Sequence, residues 1–290
     1  MASSEPSEPM RPPLDELAGF IRKDALGRPK LMGVVNVTPD SFYADSRFDS
    51  EKAINSALEM WDLGADWIDI GGESTRPGSE DVSVDEELNR VIPVIKKLKI
   101  LNPDGLISID TQKAEVAKEA IDAGALMIND VSGLRDEEMF ELVLSENIPV
   151  CIMHMQKKPI NMQVSPYYDD CLGDVSQYLF SKADELIKNG FPSNLIILDP
   201  GIGFGKLLEH NLELLRGTEK LRRGTFSILN GVSRKSMIGE ITKNKNASDR
   251  LAGTLGASAY AQVNGIDILR VHDVKEHADL SNVLSAIINK

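Results

Sequence analysis

Eight times along this chain an apolar, β-branched run ends in a polar or charged residue, and a stretch of helical character follows. The runs end at Asn36; at Glu73 with Thr75 and Arg76; at Asp110; at Asn129 with Asp130; at His154 with Gln156; at Asp199; at Ser233 to Lys235; and at Arg270 to Asp273. Strands buried on both faces read as continuous hydrophobic segments, and strand–helix alternation forces a parallel sheet. Eight such units predict an α/β protein of the (β/α)8 TIM barrel type, whose active site lies where the strands end. The polar tips are therefore the first candidates for a functional site.

The spacing predicts strands over Leu31–Val37, Trp67–Gly72, Leu106–Asp110, Leu126–Val131, Pro149–Met155, Leu195–Asp199, Ser227–Val232 and Ile268–Val271. Helices are predicted from about Ser50 to Leu63, after the capping pattern Ser83 to Glu86, over Lys113–Asp122 and Asp136–Ser145, up to Asn189, after Gly205, over Ser248–Val263 and over Lys275–Ile288. The 290 residues, 42% of them hydrophobic, suffice for one barrel, and no Gly/Ser/Pro-rich linker interrupts residues 31 to 290. Met1 to Pro13 carries Ser, Glu and Pro with almost nothing apolar, so residues 1–13 are expected to be a flexible tail and 14–290 the barrel. That stretch lacks the basic start and apolar core of a signal peptide, and no apolar run is long enough to span a bilayer.

Lys and Arg total 32 against 45 Asp and Glu, a formal charge of −13, which argues against a nucleic-acid partner because nothing would drive counterion release. Cations that converge locally still bind an anion. The two cysteines, Cys151 and Cys171, fit free thiols in a reducing compartment, here the cytoplasm. Cys151 sits inside an apolar strand and reads as core.

Asp110, Asn129 and Asp199 each terminate an otherwise apolar strand, where a carboxylate is costly without partners. Each can cap the next helix or bind local backbone amides. Three together at one mouth also suit a flat heterocycle with several N–H donors, since they accept hydrogen bonds in directional pairs. A metal cluster is the rival reading, although a di-metal site would recruit several histidines and the chain has four. Arg76, Lys235, Arg270 and His272 are the cations at the tips of strands 2, 7 and 8. Arg270 and His272 share a strand face with Val271 between them, which reads as an anion clamp rather than ordinary solvation. The turn from Asp199 to Lys206 holds three glycines but matches neither a Walker loop nor a dinucleotide fingerprint. It reads as a tight barrel turn that also brings backbone close to a ligand, with Phe204 as an apolar wall. The loops Val37–Arg47 and Glu73–Val82 are long and polar, as lids on barrels are.

These residues resemble the dihydropteroate synthase family of pterin-binding enzymes. The matching segments are Met32–Phe42, Gly71–Gly78, Ile109–Lys113, Ile128–Gly133, Met153–Gln156, Asp199–Lys206, Ser233–Ser236 and Arg270–Val274, in the family's order and covering residues 31 to 275. The resemblance implies condensation of 6-hydroxymethyl-7,8-dihydropterin diphosphate with p-aminobenzoate, giving 7,8-dihydropteroate and pyrophosphate in folate biosynthesis. It further implies that Asp110, Asn129, Asp199 and Lys235 hold the pterin, that Asn36 contacts Mg2+, and that Asn36, Thr75, Arg76, Arg270 and His272 face the diphosphate. Ser236 would receive the p-aminobenzoate carboxylate, with Pro77, Phe204, Arg234 and Lys235 around its ring. Asp40, Arg76, Lys235, Arg270 and His272 would serve catalysis, the first two from mobile loops. A homodimer and competition by sulfonamides are also implied. The chain departs from the commoner family pattern at Tyr43–Arg47, at Lys157 and Lys158, and at Leu207, all outside the positions assigned to substrates.

Three other functions compete. A methyltransferase moving a methyl from methyltetrahydrofolate to a corrinoid would share the pterin carboxylates but needs neither Ser233–Ser236 nor the Arg270/His272 clamp. A non-catalytic pterin-binding protein would have no need of the lids. A Schiff-base aldolase would require a neutral Lys235, beside Arg234 in an anion-binding turn.

Overall fold

A computed structural model describes residues 11–38, 46–75, 78–79 and 81–289. Its eight strands are β1 (Lys30–Asn36), β2 (Trp67–Gly71), β3 (Leu106–Asp110), β4 (Met127–Asp130), β5 (Val150–Met153), β6 (Ile196–Asp199), β7 (Ser227–Asn230) and β8 (Ile268–Val271). All pair in parallel in chain order, and β8 closes the ring on β1. The expected (β/α)8 barrel is the observed one. Side chains alternate along each strand, so every run splits its apolar residues between two cores. Met32, Trp67, Met127, Cys151, Ile197, Leu229 and Ile268 point inward and fill the lower barrel. Their neighbours in sequence, such as Ile68, Ile128, Ile152 and Ile196, face the ring of helices.

That ring comprises α2 (Ser46–Asp62), α3 (Val84–Leu101), α4 (Ala114–Asp122), α5 (Glu137–Glu146), α6 (Cys171–Lys188), α7 (Leu208–Arg216), α8 (Ser236–Thr242), α9 (Leu251–Val263) and α10 (Val274–Ile288). The predicted capping of α3 is present, with Ser83 Oγ accepting from Glu86 N at 3.3 Å. Asp136 likewise caps α5, accepting from Met139 N at 3.0 Å. The short helix α1 (Leu14–Phe20) is not apparent in the sequence, and it plugs the barrel floor. Ile21, which follows it, joins the inner core, and Trp67 Nε1 donates to Phe20 O at 2.8 Å. Packed chain reaches back beyond Leu14, since Arg11 ion-pairs with Glu146 at 2.5 Å. The remainder of the expected tail, residues 1–10, lies outside the described residues.

Two boundaries differ for identifiable reasons. The fourth strand stops at Asp130, whose carboxylate turns back to accept from Ser132 N and Leu134 N, both at 2.7 Å. The segment read as one helix from Ser248 is preceded by α8, which Lys243 ends in a left-handed conformation (φ 65°). Only from Leu251 does α9 run, after a turn of 3-10 helix over Ala247–Arg250.

Candidate active site

Because residues two apart share a strand face, the inward positions above the apolar core fall to the polar tips. Asn129, Asp199, Phe204, Lys235 and Arg270 line one small cavity at the carboxyl end of the barrel. Asp110 borders it through Arg270, whose Nη2 donates to Asp110 Oδ2 at 2.6 Å. Six residues from five different βα units, Asp199 and Phe204 sharing the sixth, thus converge as the sequence predicts.

The sequence reading places Arg270 at the lip, as an anion clamp. In the folded chain its guanidinium lines the cavity and is also tied to the floor, Nε donating to Asp69 Oδ2 at 2.6 Å. Burial disfavours its charge, but Asp69 and Asp110 outweigh that and hold its pKa above the ordinary value. Asp110 is pushed up to about 7, burial outweighing the pull of Arg270, with Asp69 pushing the same way as burial. Asp199 is also raised by burial, against the Gly201 N–H that its Oδ1 accepts at 2.8 Å and the nearby Lys235. Burial and Arg270 lower Lys235 to about 8, against Asp199 and Asp110. Its Nζ lies 4.0 Å from the Phe204 ring centroid, a cation–π contact that fixes both.

His272 needs correction as a cation. Burial, then Arg270 and Arg234, lower it to about 4, so it is neutral at neutral pH. Ser233 Oγ accepts from His272 N at 3.2 Å and lies 2.9 Å from Nδ1. With the hydroxyl proton donated to Nδ1, the ring proton sits on Nε2, which makes His272 a neutral donor. Arg234 is committed to Asp273, Nε donating to Oδ2 at 3.0 Å and Nη2 to Oδ1. Ser236 is the exposed first residue of α8, Asn36 the exposed tip of β1, and Thr75 half-buried after β2. Asp40, Arg76 and Pro77 lie outside the described residues. Among the described residues no group of three or more His, Cys, Asp or Glu is arranged to hold a metal ion, so the metal-cluster alternative for Asp110 and Asp199 finds no support there.

The glycine turn is as tight as the sequence predicts. Gly201, Gly203 and Gly205 all have positive φ, and a Cβ on Gly201 would overlap the His154 carbonyl oxygen. Phe204 packs there against Val131, Met153, Met155 and Met162.

Three features escaped the sequence reading. Asp69, in the middle of β2, is fully buried, and its Oδ2 also accepts from Asn129 Nδ2 at 3.0 Å. An acid inside the run from Trp67 to Gly71 was the available signal. Lys206 is buried, its Nζ 3.1 Å from His154 Nδ1 and donating to His154 O at 3.2 Å and Phe204 O at 3.0 Å. Lys113 ties Glu73, at the root of the second long loop, to the buried Glu87 of α3 (2.6 Å to Glu87).

A barrel with buried acceptors and cations around one mouth defines a class, the pterin-binding barrels. The family described as "Pterin binding enzyme" matches residues 32–272. The dihydropteroate synthase of Escherichia coli K12 is 42% identical over 265 residues, 91% of this chain and 93% of that protein. Two solved structures superpose closely. Xanthomonas albilineans dihydropteroate synthase with 4-aminobenzoic acid is 40% identical with a TM-score of 0.84, covering 91% of this chain and 95% of that one. Yersinia pestis dihydropteroate synthase in a sulfonamide drug complex is 41% identical with a TM-score of 0.85, covering 91% and 96%. This chain belongs to the pterin-binding enzymes and, within them, to the dihydropteroate synthases, transferases of folate biosynthesis.

Proposed function

We infer that the chain joins 6-hydroxymethyl-7,8-dihydropterin diphosphate to p-aminobenzoate, forming 7,8-dihydropteroate and releasing pyrophosphate. One observation carries the assignment of the pocket. Asp110 Oδ1 is buried without a hydrogen-bond partner among the described residues, near Asn129 and Asp199, so acceptors converge on one cavity and suit a ligand edge rich in N–H donors. A pterin edge supplies them. On this reading Asp110, Asn129, Asp199 and Lys235 hold the ring, and Phe204 with Pro77 walls the aniline while Ser236 and Arg234 lie toward its carboxylate. Thr75, Arg76, Arg270 and His272 face the diphosphate, and Asp40 and Arg76 complete the site from the two loops.

Cleavage of the methylene C–O bond leaves positive charge on the pterin methylene and negative charge on the departing pyrophosphate. Carboxylates around the ring stabilise the first, and Arg270 with the His272 Nε2–H the second, as preorganised dipoles do at developing charge. The aniline nitrogen then forms the new C–N bond and passes its proton to solvent water. Asn36 fits a role in holding Mg2+, because that ion binds through few protein oxygens and shares its shell with substrate phosphates and water. Bound there, the ion would neutralise charge on the leaving group.

A homodimer is supported by an apolar groove between α7, α8 and α9, lined by Leu212, Leu215, Met237, Ile241, Ala257 and Tyr260. Two buried free thiols, Cys151 and Cys171, suit the cytoplasm. No helix among the described residues is long and apolar enough to cross a membrane. A coupled pyrophosphate assay tests the reaction. Release is expected to require both Mg2+ and p-aminobenzoate and to be inhibited competitively by a sulfonamide, and equal release without the aniline would refute the second substrate.

A further inference from the structure

Asp69 is a fully buried side chain that touches Asn129, assigned to the pterin, and Arg270, which in turn binds the pterin residue Asp110. Its Oδ2 accepts from both Asn129 Nδ2 (3.0 Å) and Arg270 Nε (2.6 Å), while its Oδ1 is buried without a partner among the described residues. It lies one inward step below the cavity on β2, where Gly71 is the strand partner of Asp110. Asp69 itself does not line the cavity.

A carboxylate facing a guanidinium only accepts, so it dictates how its neighbours are turned. Asn129 has to offer Asp69 its NH2 group, which leaves the amide oxygen as the group presented upward. Arg270 is held at Nε, the inner corner of its planar fork, so the outer Nη2 edge is what Asp110 receives. Both consequences bear on the same ligand edge. Without Asp69 the Asn129 amide can flip, and Arg270 can transfer wholly to Asp110 and take its accepting oxygen away from a ligand.

We propose that Asp69 is a positioning residue for the pterin pocket, which locks Asn129 as an acceptor and anchors Arg270 by Nε so that Asp110 stays available to substrate. The proposal rests on the assignment of that pocket to the pterin. Asp69 acts through its neighbours and touches no reacting atom.

The charges that act on Asp110 include Arg270, Asp69, Glu87 of α3, Asp130 of β4 and Lys235 at the tip of β7. The two cations favour its ionised form and the three acids oppose it. Removing the negative charge of Asp69 therefore moves the titration of Asp110 toward lower pH, both by lost repulsion and by a fuller share of Arg270. A merely structural acid would leave that titration in place.

The test is calorimetric binding of 6-hydroxymethylpterin, which lacks the diphosphate, to the intact chain between pH 5 and 9. Wild type is compared with Asp69→Asn and Asp69→Ser after thermal melts establish which variants fold. The expected result is a loss of roughly tenfold in affinity at pH 7.5, the scale of one charge-assisted hydrogen bond. The acid limb of the binding profile is expected to move to lower pH in the same variant. In an Arg270→Gln background the further loss on adding Asp69→Asn should shrink to about two- to threefold, because the two residues share one interaction.

If neither single variant folds, the charge-balanced Asp69→Asn/Arg270→Gln pair is compared with Arg270→Gln, and equal affinity overturns the proposal. Unchanged affinity and an unmoved acid limb in a folded Asp69→Asn also overturn it, while wild-type binding leaves the pterin pocket standing. Absence of binding by wild type sinks the pocket assignment itself, and the proposal with it.

Discussion

Lys206 offers a quantitative test of how the mouth of this barrel is held together. It is 3% exposed, and its ammonium group meets two carbonyl oxygens and a neutral imidazole, with no carboxylate among its hydrogen-bond partners in the described residues. Burial lowers its pKa from 10.5 to about 7, with Asp199 and Cys171 opposing. His154, its neighbour, is lowered to about 3 by burial and then by Lys206, so it stays neutral and accepts. A lysine with a lowered folded pKa binds fewer protons folded than unfolded between those two values. Its contribution to stability therefore rises with pH across the window from about 7 to 10.5. Each pH unit well inside the window is worth about 1.4 kcal/mol, and half-ionisation at the lower end reduces the integrated change from pH 7 to 9 to about 2 kcal/mol. In Lys206→Met that increment disappears. Urea melts of both proteins at pH 7 and pH 9 check it, since groups common to both cancel in the difference. The variant should look comparatively better at pH 7 and worse at pH 9 by about 2 kcal/mol. An identical pH 7 to 9 change in both proteins would refute the claim that this amine is buried against its charge. The same substitution releases Phe204 O from its tie, so KM for p-aminobenzoate should rise more than kcat falls.

The remaining predictions concern single contacts. Asp199→Ala should abolish pterin binding and Lys235→Ala weaken it, both read by calorimetry, and unchanged affinity in both would overturn the pocket. Lys113→Met strips Glu87 of its cation in a fully buried site, and thermal or urea unfolding should show a loss of about 3 kcal/mol. Gly201→Ala should lose about 2 kcal/mol from the left-handed backbone alone, before the clash with the His154 carbonyl, and a variant as stable as wild type would contradict the observed φ of 69°.

Much of the site was legible because a barrel converts chain order into spatial order. A residue at the end of an apolar run can only stand at one rim, so Asp110, Asn129, Asp199, Lys235 and Arg270 were bound to meet once eight runs were recognised. Their state was not legible. His272 reads as a cation from its residue type, and only enclosure beside Arg270 and Arg234 makes it neutral. The plug helix α1 carries too short an apolar pattern to announce itself, and its place is decided by Trp67 at the lower end of the barrel.

By itself, then, the sequence determined the barrel, the order of its strands and the rim on which chemistry gathers, because hydrophobic periodicity and strand–helix alternation are local properties of the chain. Only the tertiary structure decided which polar groups pair. Arg270 and Asp69 stand 201 positions apart, and nothing short of ring closure brings β8 round beside β1, one strand from β2. Burial then sets the charge of each group against its partners, a quantity that no pattern of residues contains until the chain has folded around it.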